Sequence, residues 1–152
     1  MSSNRAVMTL PQIVPGHRRD LVSFIEGMPA TRSLEIKVVG LGEGVSVLEM
    51  PIRREFTVDG RILQAGLVGV LADYAAVSAA TATRPAGWLP ATTGFDVHNL
   101  EPAVGEKVIA IGNAIRSKQF GLASADLFVM LEGEPTLCAT ALATCRFFQI
   151  GS

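Results

Sequence analysis

Hydrophobic and polar positions along the chain fall into stretches of two periods. Residues His17–Glu26 carry Leu21, Val22, Phe24 and Ile25 as a loose helical stripe, which Gly27 and Pro29 stop. From Leu34 the period drops to two, with Leu34, Ile36 and Val38 alternating against Glu35 and Lys37 as a half-buried strand requires. Gly40 to Gly44 reads as a turn, and Val45–Met50, ended by Pro51, completes a hairpin. A polar connection over residues 51–63 leads into Gln64–Ala82, which lacks proline and is rich in alanine and leucine, the composition of a long helix. Arg84, Pro85 and Gly87 terminate it.

Four strands are predicted after this helix: Thr92–Asn99, Lys107–Arg116, Leu122–Leu131 and Leu137–Phe148. In the third, Ala123, Ala125, Leu127, Val129 and Leu131 share a face opposite Ser124 and Asp126; in the fourth, Leu137, Ala139, Ala141, Ala143 and Cys145 repeat the arrangement. Two strands, one apolar helix and four strands predict an α+β fold, an antiparallel β-sheet wrapped around one long central α-helix. Residues 1–30 read as an N-terminal extension with a short helix, and 31–150 as the main domain.

Composition narrows the classes. At 152 residues, with 49% hydrophobic and 18% charged residues, the chain has the material for one well-filled core and not the makeup of a disordered segment. Thirteen basic against fourteen acidic residues leave no positive excess to neutralise a phosphate backbone, so nucleic acid is not an expected partner. A near-neutral, apolar chain is expected to bury a face against a copy of itself. Met1–Leu10 lacks the apolar core of a signal peptide, and Leu67–Ala82 is interrupted by Asp73 and too short for a bilayer, so no membrane association is expected. Cys138 and Cys145 are seven apart, an odd spacing that points strand side chains to opposite faces; reduced thiols in a cytoplasmic protein are expected. His17 and His98 are far apart and no Cys/His cluster has metal-ligand spacing, so no metal is expected.

Chemistry concentrates on the long helix. Gly66, Gly69, Asp73, Ala76 and Ala80 fall on one face, placing a single carboxylate in a stripe of small residues where a flat ligand can approach. Periodicity leaves two readings of Asp73 open: a reactive base in a poorly polar setting, or a structural acid paired with Arg61 or Arg116. At the helix start, Gln64, Ala65 and Gly66 offer backbone N–H groups without intrahelical partners, able to hold a carbonyl oxygen as it gains charge. His98 reads as a hydrogen-bonded structural residue, and Trp88 as a side chain that packs on the sheet or lies over a pocket.

The run Gly60-Arg61-Ile62-Leu63-Gln64-Ala65-Gly66-Leu67-Val68-Gly69-Val70-Leu71-Ala72-Asp73-Tyr74-Ala75-Ala76 resembles the signature of PaaI-like hotdog-fold acyl-CoA thioesterases. In that family the helix opens with His-Gly-Gly or a Gln-containing variant, and an aspartate follows nine residues later, as Asp73 follows Gln64. Thr92 through Ala103 is similar to the family's Thr-led strand and its Leu-Arg-Pro-Ala-like turn, and Arg116 through Ala123 to the turn between the long strands. The resemblance covers roughly residues 31 to 148. It departs from the pattern at Gln64 for His, at Ala65 for the first Gly, and at Val58 where the family often has Asn.

The resemblance implies a hotdog homodimer or homotetramer with interfacial sites and acyl-CoA thioesters as substrates, acting without a cofactor. Asp73 takes the place of the catalytic carboxylate, as base or nucleophile, and Gly66 that of an oxyanion-hole N–H from the neighbouring subunit. Gln64 and Thr92 position the thioester, water or carboxylate, Ala65 retains an N–H toward the substrate, and Arg116 and Lys118 face the coenzyme A phosphates. The alternative is a non-catalytic acyl-CoA-binding hotdog protein, for which the changes at Val58, Gln64 and Ala65 speak.

Overall fold

The computed structural model describes residues 8–151. Two short helices, α1 (Arg19–Gly27) and α2 (Pro29–Leu34), precede strands β1 (Lys37–Gly42) and β2 (Val45–Pro51). The central helix α3 (Ala65–Thr81) follows, then β3 (Trp88–Asn99), β4 (Lys107–Ser117), β5 (Phe120–Leu131) and β6 (Glu134–Gln149). All six strands form one antiparallel sheet in the order β1-β2-β4-β5-β6-β3, curled around α3. This is the α+β arrangement that the alternation predicts, and the hotdog fold that the resemblance implies.

Small residues on both sides let helix and sheet approach closely. Ala72, Ala75, Ala76 and Ala80 of α3 pack with Ala110, Ala123, Ala125, Ala139, Ala141 and Ala143 of the sheet, and Leu48, Met50, Leu71 and Leu127 fill the remaining volume. The approach is tightest at Gly112, where a Cβ atom would lie 2.1 Å from the carbonyl oxygen of Ala75. Only glycine fits there, and Ser46 Oγ donates to the same oxygen at 2.6 Å, fixing the height of the helix over the sheet.

Three local expectations change. Leu34 does not begin a strand: Pro29 occupies the first turn of α2, its fixed φ suiting a helix start, and pairing begins only at Lys37 after Glu35 turns the chain with φ 56°. β1 runs on through Gly42, so the hairpin turn is short, with Gly44 at φ +75°. Cys138 and Cys145 do not face opposite ways, since both are buried in the core beneath α3. The register passes from Leu127↔Ala139 to Phe128↔Leu137, leaving Cys138 as the extra residue of a β-bulge, and that residue resets the two-residue alternation. The thiols remain free, at separate points along β6.

The outer face of the sheet is partly apolar as well. Val47, Ile109 and Ile111 lie beneath Met8 and Ile13, and Val14 N–H donates to Leu41 O at 3.1 Å. At the opposite edge β3 has no strand beyond it among the described residues, and Phe95 stands 50% exposed.

The helix pair α1 and α2 is anchored through Arg18, whose side chain is 5% exposed. Its guanidinium donates to Thr81 O (2.8 Å), Arg84 O (2.9 Å) and Trp88 O (2.7 Å), and pairs with Asp20 at 2.9 Å. Asp20 also accepts from Gly87 N–H at 2.9 Å. These bonds gather the orphan carbonyls at the end of α3 and the start of β3 against α1. Leu21, Ile25, Leu41 and Leu89 form the apolar cluster beneath it.

Candidate active site

Asp73 sits midway along α3, half-buried, on the face turned toward the start of β3. Its Oδ1 accepts a 2.8 Å hydrogen bond from Thr92 Oγ1 at the exposed rim. The two residues meet because Thr92 lies on the inward face of β3, opposite Cys145, before an extra residue at Thr93 shifts the register. Among the described residues Asp73 makes no salt bridge, so pairing with Arg61 or Arg116 is not what holds it. Burial raises its carboxyl above the ordinary 3.8, and the Thr92 bond draws it partly back. A carboxylate in this state is readily protonated and poorly solvated, as a proton acceptor for water requires. Burial pushes the neighbouring Cys145 thiol up to about 11, assisted by the charge of Asp73, which keeps it neutral and a packing group.

Asp73 and Thr92 open onto a cavity of about 160 Å³. Its walls come from Tyr74 and Val77 of α3, Pro90 of β3, and Phe24, Ile25 and Met28 of the N-terminal helices. The last three were not foreseen as part of a site. Phe24 and Ile25 are legible as an apolar stripe, but a stripe carries no information on which surface it meets.

Gln64, Ala65 and Gly66 lie at the exposed start of α3. Gln64 is the N-cap residue with extended backbone (φ -60°, ψ 133°), and no side chain caps the helix. Its own Oε1 folds back over Gly66, 3.3 Å from where a Cβ would stand. Gln64 N–H bonds to Phe56 O and Leu63 N–H to Ala103 O, each at 3.0 Å, which fixes the direction of the helix start. Leu67 N–H donates to Gln64 O at 3.0 Å, which leaves the N–H groups of Ala65 and Gly66 as the first-turn donors without intrahelical acceptors. An open apolar groove of about 380 Å³ adjoins them, lined by Val58, Ile62, Val68, Leu100 and Pro102.

Arg116 and Lys118 are exposed at the β4–β5 turn. Ser117 Oγ receives a 2.6 Å bond from Thr83 Oγ1 and donates to Ala80 O at 3.2 Å, so this turn sits against the C-terminal end of α3. The sequence-predicted residues thus occupy three stations: Gln64–Gly66 at the helix start, Asp73 with Thr92 at its middle, and Arg116 with Lys118 at its end. Gly66 and Asp73 are seven residues apart, about 10 Å along a helix axis, too far to serve one carbonyl group within one protomer. His98 lies exposed, paired opposite Thr140, away from the cavity, and Trp88 takes the Arg84 guanidinium 5.6 Å from its ring.

No protein-family model matches this sequence, and no curated protein matches it. Solved structures do. A thioesterase family protein from Silicibacter pomeroyi is 26% identical, with a TM-score of 0.83 over 88% of this chain and 99% of that one. A thioesterase from Haemophilus influenzae is 18% identical (TM-score 0.74, covering 97% and 96%). The E. coli PaaI protein from the phenylacetic acid degradation operon is also 18% identical (TM-score 0.71, covering 86% and 90%). The chain thus shares its fold with proteins of the thioesterase superfamily, the PaaI protein among them.

Proposed function

We propose that this protein is an acyl-CoA thioesterase that works as a homodimer or a larger assembly of dimers. The observation that carries the reading is the half-buried Asp73 carboxylate, held by Thr92 at the mouth of an apolar cavity. The acyl group enters the cavity and the thioester carbonyl rests at its mouth. Asp73 takes a proton from a water molecule as the water oxygen bonds to the carbonyl carbon, and the carbonyl oxygen becomes an oxyanion. Collapse breaks the C–S bond; the proton returns to the coenzyme A sulfur, leaving the free acid and Asp73 ionised again. Water and the thioester suffice, with no metal or redox cofactor.

The oxyanion needs donors that Asp73's own protomer does not bring to it. We assign that role to Gly66 N–H, with Ala65 and Gln64 beside it, from the α3 start of a second copy docked on the β3 edge. Phe95, Leu100 and Val58, exposed by 50%, 53% and 64%, supply the apolar area for such docking. Arg116 and Lys118 supply positive charge for the phosphates of coenzyme A. Two buried free cysteines suit a reducing compartment, and we place the protein in the cytoplasm.

Free-thiol release from a panel of acyl-CoAs, by wild-type protein beside Asp73→Asn, tests the reading. The second reading, a non-catalytic acyl-CoA-binding protein, draws on Gln64 and Ala65 at the helix start, and predicts thermal stabilisation by acyl-CoA with no thiol released by either form.

Two further outcomes are expected. Phe95→Asp places a charge in the docking edge; light scattering should show monomers, with thiol release down by about 100-fold once the oxyanion donors are lost. A monomeric variant of full activity refutes the shared site. Thr92→Val removes the bond that favours the ionised Asp73, so its carboxyl rises further. Since the ionised form is the active one, the acidic limb of the kcat/KM profile should move to higher pH. A limb that stays in place shows that Thr92 does not position or tune Asp73.

A further inference from the structure

The cavity beside Asp73 is bounded by parts of the chain outside the sheet and central helix. Part of its wall is Phe24 and Ile25 of α1 and Met28, the residue joining α1 to α2. Val77 and Pro90 add apolar surface, while the polar groups of the lining are the Asp73–Thr92 pair, the Tyr74 phenol and Ser78, whose hydroxyl donates to Tyr74 O one helical turn back and so offers no proton to a ligand. A charged or polyhydroxylated acyl group would exchange its hydration here for little more than one phenol hydroxyl, so an apolar group is favoured.

Size gives a second limit. At about 160 Å³ the cavity matches the roughly 150 Å³ apolar cavity that accommodates one benzene molecule. The wall is also held in place: Leu21 and Ile25 are 0% and 4% exposed in their own cluster, and Arg18 ties α1 to Thr81, Arg84 and Trp88. A longer acyl chain must displace this anchored wall.

Resting on the thioesterase reading, we propose that the N-terminal helices set acyl specificity. The substrate's acyl group is apolar and no bulkier than a single six-membered ring or a comparably short chain, and Phe24 and Met28 are the residues that impose the limit. Phe24 is 39% exposed, so its truncation removes cavity wall without emptying the core.

The test is thiol release from butanoyl-, hexanoyl-, benzoyl-, decanoyl- and hexadecanoyl-CoA, by wild type, Phe24→Ala and Phe24→Ala/Met28→Ala. Wild type should prefer the hexanoyl and benzoyl esters over decanoyl by about tenfold or more in kcat/KM, the scale on which an apolar pocket discriminates by size. The variants should raise the decanoyl-to-hexanoyl ratio by about tenfold. Phe24→Ala alone serves if the double variant does not fold. Turnover with an unaltered ratio, or wild-type hydrolysis of hexadecanoyl-CoA as fast as hexanoyl-CoA, overturns this inference and leaves the thioesterase reading standing. No thiol release from any ester removes the thioesterase reading and the inference with it.

Discussion

Asp73→Asn should lower kcat/KM for thioester hydrolysis by about 1000-fold while leaving the fold and acyl-CoA binding in place, because a positioned general base contributes roughly 100- to 10,000-fold. Asparagine has nearly the same shape and still accepts from Thr92, so the cavity keeps its walls. What disappears is the group that takes the proton from water. Burial opposes the charged form of Asp73, so the neutral side chain should melt at the same temperature as wild type or above it. Circular dichroism melts, thiol-release kinetics and calorimetric titration with a thioether analogue of the substrate check the three parts. Residual turnover within tenfold of wild type would remove Asp73 from the chemistry.

The largest stability effect is expected at Arg18. Arg18→Ala leaves the carbonyls of Thr81, Arg84 and Trp88 without their donor and strips Asp20 of its ion-pair partner. Unpartnered groups in such a network cost more than the bond itself contributes, and with Asp20 still 35% exposed the loss should be about 3 kcal/mol. For a domain of this size that is a fall in Tm of about 6–12 °C. Acid sensitivity should change with it. Arg18 holds the Asp20 carboxyl far below its ordinary 3.8, so the stability it adds is fully present above that pH and is lost as pH falls below it. The difference between wild type and Arg18→Ala in urea unfolding should therefore shrink on acidification from pH ~7 to pH ~3. A Tm shift under about 2 °C would mean that apolar packing of Leu21 and Ile25 alone anchors α1.

How much of this was legible in the sequence differs from element to element. α3 was readable almost to the residue, because seventeen residues without proline, dense in alanine, have few alternatives. β5 and most of β6 were readable because one face is buried against α3 and the other is not, so alternation survives there, whereas β4 is buried on both faces from Val108 to Gly112 and was readable as a short apolar run. The reading failed at Leu34, where Pro29 nucleates a helix across an alternating stretch, and at Cys138, where one bulged residue inverts the parity on which the facing argument rests.

The site divides along the same line. Sequence alone determined the elements apart from α2, the reactive residue types and their order, because periodicity, helix propensity and the spacing of Gln64, Gly66 and Asp73 are local properties. Which side chains meet was decided only by the tertiary structure. Thr92 on Asp73, Gly112 beneath Ala75, Arg18 on the end of α3, and Phe24 and Met28 around the cavity are contacts between segments far apart in the chain. Such contacts depend on sheet order, register and the angle at which a helix docks, and these follow from packing of the whole core.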